Sequence, residues 1–599
     1  MSIVLSLMPN FFNFGQVLFY YYYIALFSAF FVFAAIEYKA IYQHLKKLGR
    51  KYFLLLLAVL AVFLAFDLLF VPATQQLFND EYIYQSIAKT ILYDHIVGIC
   101  SFSTATHCVP NTAGLFHQPG GWPFLLAITF AIFGINFGAA FNLTLFISAI
   151  SIILVAYVAF FMFGDKRVAV LSGFTMAFTP LFITFSRATL SDMPAMAFGL
   201  LSILFLLLYL RERSLRFGVL SALAIAITLS MKVDAVIILP ILLVILLLNR
   251  ETFKKRWKRV ELYKLAATIS LLFVILIPEL LFLDFAPSQG FGNPSGTPMF
   301  SLNYLKENIT TNTLFWFGSY TSTQFGYNGT NYIYHVEYPL SFTAFALVGL
   351  AFILFRKQFR AAFQMILWFA FVLFFYTSYY GGSVLYSVGD DVRYFLIAFP
   401  VIAILASVGT VSLHDFAKDH MPGNLPHSPK RKPKHSMHII LRNVLLASLL
   451  LMLLFSNAVI QIVNIVTLPP SHLLPFAAER YDEHFILASE SLIPKNCMVV
   501  TFKPPLWYIL GYPNIYTSWT SLPQFESEFN KISNNCVYFD KSTSCYLTNA
   551  NQGGPNTEQQ CDNFMQSHLL LPVNTTNFDN FTWNVTFGIY KVLPLNSSS

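Results

Sequence analysis

The sequence predicts an all-α polytopic membrane protein of about twelve or thirteen transmembrane helices, with a small α/β domain at its C-terminal end on the extracytoplasmic side. Three observations carry this prediction. Of the 599 residues, 56% are hydrophobic and only 11% charged, whereas soluble proteins carry roughly 25% charged residues. Apolar segments of about 16 to 26 residues recur along the chain, the length that crosses a hydrocarbon core of roughly 30 Å. Lys and Arg alternate with those segments in a one-sided pattern.

The first apolar run, 17–36, has no basic stretch before it and is too long for a cleavable signal, so it reads as a retained helix. Further spans are expected at 52–71, 138–163, 168–186, 191–210, 215–231, 234–249, 262–284, 338–355, 362–380, 393–411 and 438–463. The stretch 121–136 is also apolar, but it follows a Pro/Gly-rich entry and is broken at Gly134, which suits a helix lying at the interface. It accounts for the choice between twelve and thirteen.

With the N-terminus outside, the inner loops collect most of the 37 Lys and Arg residues. These run from Lys39–Lys51 through Lys166–Arg167, Arg211–Arg216, Arg250–Lys264 and Arg356–Arg360 to Lys418–Arg442. The net charge of +8 is therefore the positive-inside signal. Lys430-Arg431-Lys432-Pro433-Lys434 reads as an inner loop beside anionic lipid, and nucleic acid is not an expected partner.

Cysteines and glycosylation sequons agree with this orientation. Cys100, Cys108, Cys497, Cys536, Cys545 and Cys561 all fall outside, where disulfides persist. Cys100 with Cys108 closes a short loop, and the other four allow two bridges of undetermined pairing. The sequons at Asn308, Asn328, Asn574, Asn580 and Asn584 lie on the same side. His107 beside Cys108 matches no standard metal spacing.

This topology divides the chain into an additional N-terminal helix and basic loop, 1–51, a transmembrane domain, 52–469, and an outer disulfide-bonded domain, 470–599. The transmembrane domain has a first outer loop at 72–137 and a second at 285–337. In the outer domain, strands are expected from Cys497 and Cys536, and helices at 506–511 and 523–533.

The most informative residues are Asp80 and Glu81, directly after the span 52–71, because a carboxylate there is costly in lipid. The plainer alternative is a cap for the helix that follows. Other polar residues cluster near the same boundary: Arg187 and Asp192 in Ser186-Arg-Ala-Thr-Leu-Ser-Asp-Met-Pro194, Lys232 with Asp234, and Asp390-Asp-Val-Arg-Tyr394. Ion pairing or snorkelling would explain any one of them. Several converging on one face suit a site that handles an anion and a proton.

These motifs resemble the GT-C membrane glycosyltransferases, and within them the dolichyl-phosphate-mannose protein mannosyltransferase and aminoarabinose transferase group. Asn79-Asp-Glu-Tyr-Ile-Tyr-Gln looks like the acidic motif of that group's first outer loop. His117-Gln-Pro-Gly-Gly-Trp-Pro, followed by Phe133-Gly134, is similar to its interfacial helix, Ser186-Arg with Asp192-Met-Pro to its third element, and Arg393-Tyr394 to its late helix. The match runs over about residues 52–411. Gln118 replaces a family proline, and Gly120-Gly121 loosens the helix entry.

The resemblance implies inverting transfer of a hexosyl or pentosyl unit from a polyprenyl (dolichyl) phosphate carrier to a protein, lipid or glycan acceptor. It places the enzyme in the cell (plasma) membrane with an extracytoplasmic site. Asp80 is then the expected general base, Glu81 shapes the site and Asp192 is the second acidic partner. The departing lipid phosphate needs a fixed cation, for which Arg393 comes first and Lys232 and Arg187 next. His117, Tyr84 and Tyr394 are the expected substrate contacts. Trp122, Trp316 and Tyr320 offer faces for sugar rings, although packing is the commoner use of such residues.

Two carboxylates near a phosphate can hold Mg or Mn, so a divalent ion between Asp80 and Asp192 stays open and no metal ligand is assigned. The competing readings are an oligosaccharyltransferase, which would carry a Trp-Trp-Asp-type motif not found here, and a transporter or flippase. The latter predicts internal repeats and charges at the bilayer midplane. A glycosyltransferase-derived protein that only binds polyprenyl lipid is a further alternative.

Overall fold

The computed structural model describes residues 11–71, 73, 78–109, 112–116, 118–249, 259–285, 300–318, 338–379, 390–420, 435–467, 477–517, 536–546, 557–580 and 583–593. His117, Tyr320 and the helix expected at 523–533 lie outside them.

Eight described helices are long and apolar enough to cross a membrane: Gly15–Ile36, Arg50–Phe70, Phe137–Phe163, Asp192–Glu212, Tyr263–Leu281, Phe359–Thr377, Val392–His420 and Asn443–Ile460. Four shorter apolar helices accompany them, Gly121–Phe133, Leu215–Met231, Val233–Leu248 and Leu340–Phe355. The protein is an integral membrane protein, and most of the expected spans are present. Those expected at 215–231, 234–249 and 338–355 are the short ones. The first of these stops at Lys232, which is extended at φ −156°, ψ 129° and buried. Such non-helical backbone is tolerated at membrane depth only where protein encloses it.

The span expected at 168–186 is corrected to two helices, Lys166–Ala177 and Pro180–Phe185. Thr179 between them sits at φ −72°, ψ 118°. The residue before a proline is driven out of the helical region, and Pro180 has no N–H to continue the ladder.

Burial separates centre from rim. Phe137–Phe163, Asp192–Glu212 and Val392–His420 are 78%, 83% and 89% buried, against 11% for Tyr263–Leu281 and 17% for Asn443–Ile460. A helix apolar on every face must meet protein or lipid all round, and the first three meet protein. Helices Leu340–Phe355 and Phe399–His420 pack almost backbone to backbone. A Cβ on Gly349 would lie 2.0 Å from the Leu405 carbonyl oxygen, and one on Gly409 2.1 Å from that of Phe345. Small residues at crossing points permit this approach.

The C-terminal domain is built on a six-stranded sheet of order β2-β5-β4-β6-β8-β7. Its strands are β2 (Phe102–Ser103), β4 (Met498–Thr501), β5 (Asn514–Tyr516), β6 (Val537–Lys541), β7 (Leu569–Asn580) and β8 (Trp583–Leu593), while β1 (Ile99–Cys100) pairs separately with β3 (Ala113–Gly114). β5, β4 and β6 run parallel, with helix Pro504–Ile509 between β4 and β5, so the expected α/β character is present. Disulfides join Cys100–Cys108, Cys497–Cys536 and Cys545–Cys561.

The domain does not begin cleanly at residue 470, because β2 belongs to the first loop and pairs antiparallel with β5. Lys89 in helix Phe78–Asp94 donates to the carbonyls of Ala105 and Tyr508. Tyr82, one residue after Glu81, is buried with Phe485, Ile486 and Trp507. The helix that carries the acidic pair is thus anchored in the C-terminal domain's core.

That core contains a polar network. Asp540 Oδ2 accepts from Thr501 Oγ1 at 2.8 Å and Trp507 Nε1 at 2.7 Å, while Asp482 Oδ2 accepts from Lys503 Nζ at 2.7 Å and Thr543 N at 2.9 Å. Burial, then the nearby Asp482 charge, pushes the Asp540 carboxyl up to about 7. The folded state therefore holds a proton that the unfolded chain releases near the ordinary carboxylate value. Stability of this domain should fall as pH rises from about 4 to about 7 and level off above that. Urea unfolding followed by Trp fluorescence at pH 5 and pH 8 checks this, and Asp540→Asn should flatten the difference.

Candidate active site

Three helix ends and one 3-10 turn bring the polar residues together. Asp80 and Glu81 occupy the first turn of Phe78–Asp94, and Asp192 the first turn of Asp192–Glu212. Lys232 caps the C-terminal end of Leu215–Met231, and Arg393 and Tyr394 lie in the turn Asp390–Ala398. Carboxylates at helix N-termini and a cation at a helix C-terminus each complement the local dipole.

Arg393 Nη1 donates to Asp80 Oδ2 at 2.9 Å. Lys232 Nζ bridges Asp192 Oδ1 at 2.7 Å and Asp234 Oδ2 at 2.9 Å. Tyr394 joins the two pairs, with Lys232 Nζ 4.3 Å and the Arg393 guanidinium carbon 5.3 Å from its ring centroid. The Tyr394 ring also stacks on Tyr376 at 5.3 Å and 10° between planes. Exposure differs between the pairs: the side chains of Asp80 and Arg393 are 28% and 15% exposed, those of Asp192 and Lys232 5% each. Asp80 and Arg393, with Asp234 at 22%, are the accessible members.

Behind them, Thr189 acts as a hub. Glu81 Oε1 accepts from Thr189 N at 2.6 Å, Gln85 Nε2 donates to Thr189 Oγ1 at 2.9 Å, and Trp122 Nε1 donates to the Thr189 carbonyl at 2.9 Å. Tyr84 Oη shares a hydrogen bond of 2.9 Å with Ser191 Oγ, immediately before Asp192. Burial holds the Tyr84 phenol well above its usual range, with the Asp80 charge adding to it. These bonds set the position of Asp192 relative to Asp80.

Residues 117–278 match the family model described as dolichyl-phosphate-mannose-protein mannosyltransferase. ArnT from Cupriavidus metallidurans is similar in structure, with a TM-score of 0.52 in its apo state and 0.54 bound to undecaprenyl phosphate. The likeness covers 89% of this chain and 97% of that one, at 13% and 12% identity. The chain has the GT-C glycosyltransferase fold. A weaker likeness, with a TM-score of 0.46, is to the archaeal oligosaccharyltransferase from Archaeoglobus fulgidus, at 13% identity over 90% of this chain and 75% of that one. No curated protein matches the sequence.

Within the GT-C frame, the structure brings Asp80, Arg393, Asp192, Lys232 and Tyr394 into one cluster, with Tyr84 and Glu81 directly behind. Arg187 is not part of it. Its Nε lies 2.7 Å from Asp67 Oδ1 and its Nη1 donates to the Val71 carbonyl at 2.9 Å, in a buried pair that Ser186 Oγ completes by donating to Asp67 Oδ2. Arg187 fastens helix Arg50–Phe70 to the loop that carries Thr189. Trp316 is enclosed by Tyr338, Phe369, Phe395 and Phe399, and Trp122 is fully buried, so neither presents a face to a sugar. His107 pairs with Asp94 at 2.8 Å.

Sequence reasoning missed Asp67 and the hub role of Thr189. Asp67 had a signal, since a carboxylate inside an apolar run asks for a partner. Thr189 had none beyond its place in a polar stretch.

Proposed function

We propose that the protein is a polyprenyl-phosphate-sugar-dependent membrane glycosyltransferase that transfers a sugar by single inverting displacement, with Asp80 as general base and Arg393 as the principal cation for the leaving phosphate. The observation that carries the reading is the accessible Asp80–Arg393 pair held against the buried Lys232–Asp192 pair by Tyr394. The similar ArnT binds undecaprenyl phosphate, and the same class of carrier is proposed here, with the site on the extracytoplasmic face.

In this reading the donor phosphate takes Arg393 from Asp80, which frees the carboxylate for the acceptor. The acceptor hydroxyl oxygen attacks the anomeric carbon and gives its proton to Asp80. The bond from the anomeric carbon to the phosphate oxygen breaks on the opposite side, and the electron pair leaves with the lipid phosphate, stabilised by Arg393 and at longer range by Lys232. Asp192 and Asp234 hold Lys232 in place, and Glu81 and Tyr84 hold the helix ends. Asp80 and Asp192 each pair with a basic side chain, and no step is assigned to a Mg or Mn ion in this reading.

The test is transfer or slow hydrolysis of radiolabelled polyprenyl-phosphate hexoses and pentoses by the purified protein in lipid. Arg393→Gln removes a charge-assisted bond of about 1.5–3 kcal/mol. It should lower kcat/KM by about ten- to a hundredfold with the best donor. Donor binding without turnover by the wild type, with any acceptor offered, would favour a transporter or a lipid-binding role.

A further inference from the structure

We infer that the end of the helical bundle opposite Asp80 carries a second binding site, which takes the phosphate group of an anionic membrane lipid. Helix Asp192–Glu212 connects the two ends: its 21 residues rise about 30 Å, from Asp192 at the candidate active site to Arg211. There a cavity of about 680 Å³ opens. Phe161, Met162, Leu207 and Leu210 form its apolar part, and Arg211, Arg213, Asn249 and Gln364 its polar part.

The polar part carries amide donors and two positive charges, and among the described residues none of its lining is acidic. Glu212, the nearest carboxylate in sequence, is directed elsewhere, 3.3 Å from His44 and 3.8 Å from Lys47. Gln364 is 8% exposed, and its Nε2 has no hydrogen-bond partner among the described residues. A buried amide donor facing a cavity without an acceptor is unfavourable unless a ligand supplies one. Asn249 already commits its Nδ2 to the Ile245 carbonyl at 2.7 Å.

The two arginines are positioned rather than loose. Arg211 lies over the Phe161 ring at 4.8 Å and donates Nη2 to the Phe161 carbonyl. A guanidinium has five N–H donors, so this anchoring leaves capacity for a phosphate. Arg213 ends the helix in the left-handed region at φ 55°, ψ 31°, with its N–H on the Tyr209 carbonyl at 2.7 Å. Non-glycine residues held in that conformation concentrate at functional sites. Lys264 Nζ, 3.3 Å from the Arg213 carbonyl, adds positive charge nearby.

The apolar half of the lining points to a lipid rather than a soluble anion. The helices that carry Asn249 and Gln364 also expose Leu243, Leu247, Phe363 and Ile366, a surface for acyl chains beside the phosphate. Basic pockets between transmembrane helices are a recurring form of lipid headgroup site, and Arg matches phosphate geometry through paired donors.

The experiment is native mass spectrometry of the full-length protein released from phosphatidylcholine nanodiscs containing increasing phosphatidylglycerol. The wild type should retain phosphatidylglycerol over phosphatidylcholine. Arg211→Gln with Arg213→Gln should lower that retention about tenfold or more, and Gln364→Leu by a smaller factor. If the double variant does not fold, Arg213→Gln and Gln364→Leu read the same site. Equal retention of the two lipids by the wild type, or unchanged retention in the variants, overturns the site. Inorganic phosphate added at millimolar concentration to the mixed nanodiscs is the third arm: displacement of phosphatidylglycerol would make the ligand a soluble anion and overturn the lipid assignment.

Discussion

Asp80→Asn should lower sugar transfer by about 10²- to 10⁴-fold, the usual contribution of a positioned general base, without raising the donor KM. The substitution keeps the shape of the side chain, and its amide oxygen can still accept from Arg393, whose Nη1 is 2.9 Å from Asp80 Oδ2 in the native protein. What is lost is the group that takes the acceptor proton. Because the neutral amide competes less well than a carboxylate for Arg393, the donor phosphate should bind as tightly as in the wild type or more tightly. An effect on kcat with KM unchanged is the signature of a role confined to the transition state, and a lowered KM would report the released competition for Arg393. The measurement is initial-rate transfer from a radiolabelled polyprenyl-phosphate sugar, on wild type and variant of matched folding. Equal rates would reduce Asp80 to a helix cap and remove the catalytic reading.

Arg187→Met should destabilise the protein by about 3–5 kcal/mol, because it leaves Asp67 as an uncompensated buried charge. The two side chains are 7% and 0% exposed and 2.7 Å apart, and Asp67 sits in the helix Arg50–Phe70, away from water. Asp67→Leu combined with Arg187→Met should recover most of the loss, since well-packed apolar residues often replace such a pair at little cost. Thermal unfolding in detergent measures both. Transfer activity per folded molecule should survive in the double variant. Normal stability with lost donor binding in Arg187→Met would return Arg187 to the phosphate site and sink the anchoring role.

The legible parts of this protein were those written in local pattern. Apolar runs of spanning length depend on which solvent each segment meets, and that is encoded residue by residue. The Asp80-Glu81 pair was legible for the same reason, because charge beside a membrane span is expensive wherever the chain goes next. The break at Thr179 was legible in principle from Pro180, but a continuous apolar run hid it. The cysteine pairing in the C-terminal domain was not legible, since four cysteines admit several pairings of similar chemistry.

By itself, then, the sequence determined an integral membrane protein with a helical bundle, a disulfide-bonded α/β domain, and acidic and basic residues gathered near one set of helix ends. Only the tertiary structure decided which charge meets which. Arg393, 313 residues from Asp80, closes on it, while Arg187, which has the same chemistry and lies five residues from Asp192 in sequence, turns away to Asp67. The tertiary structure also decided that β2 of the first loop joins the C-terminal sheet, and that Thr189 is a hub. The physical reason is that an ion pair or a strand edge is specified by proximity and orientation in space. The side chains that supply it carry no periodic or compositional mark along the chain.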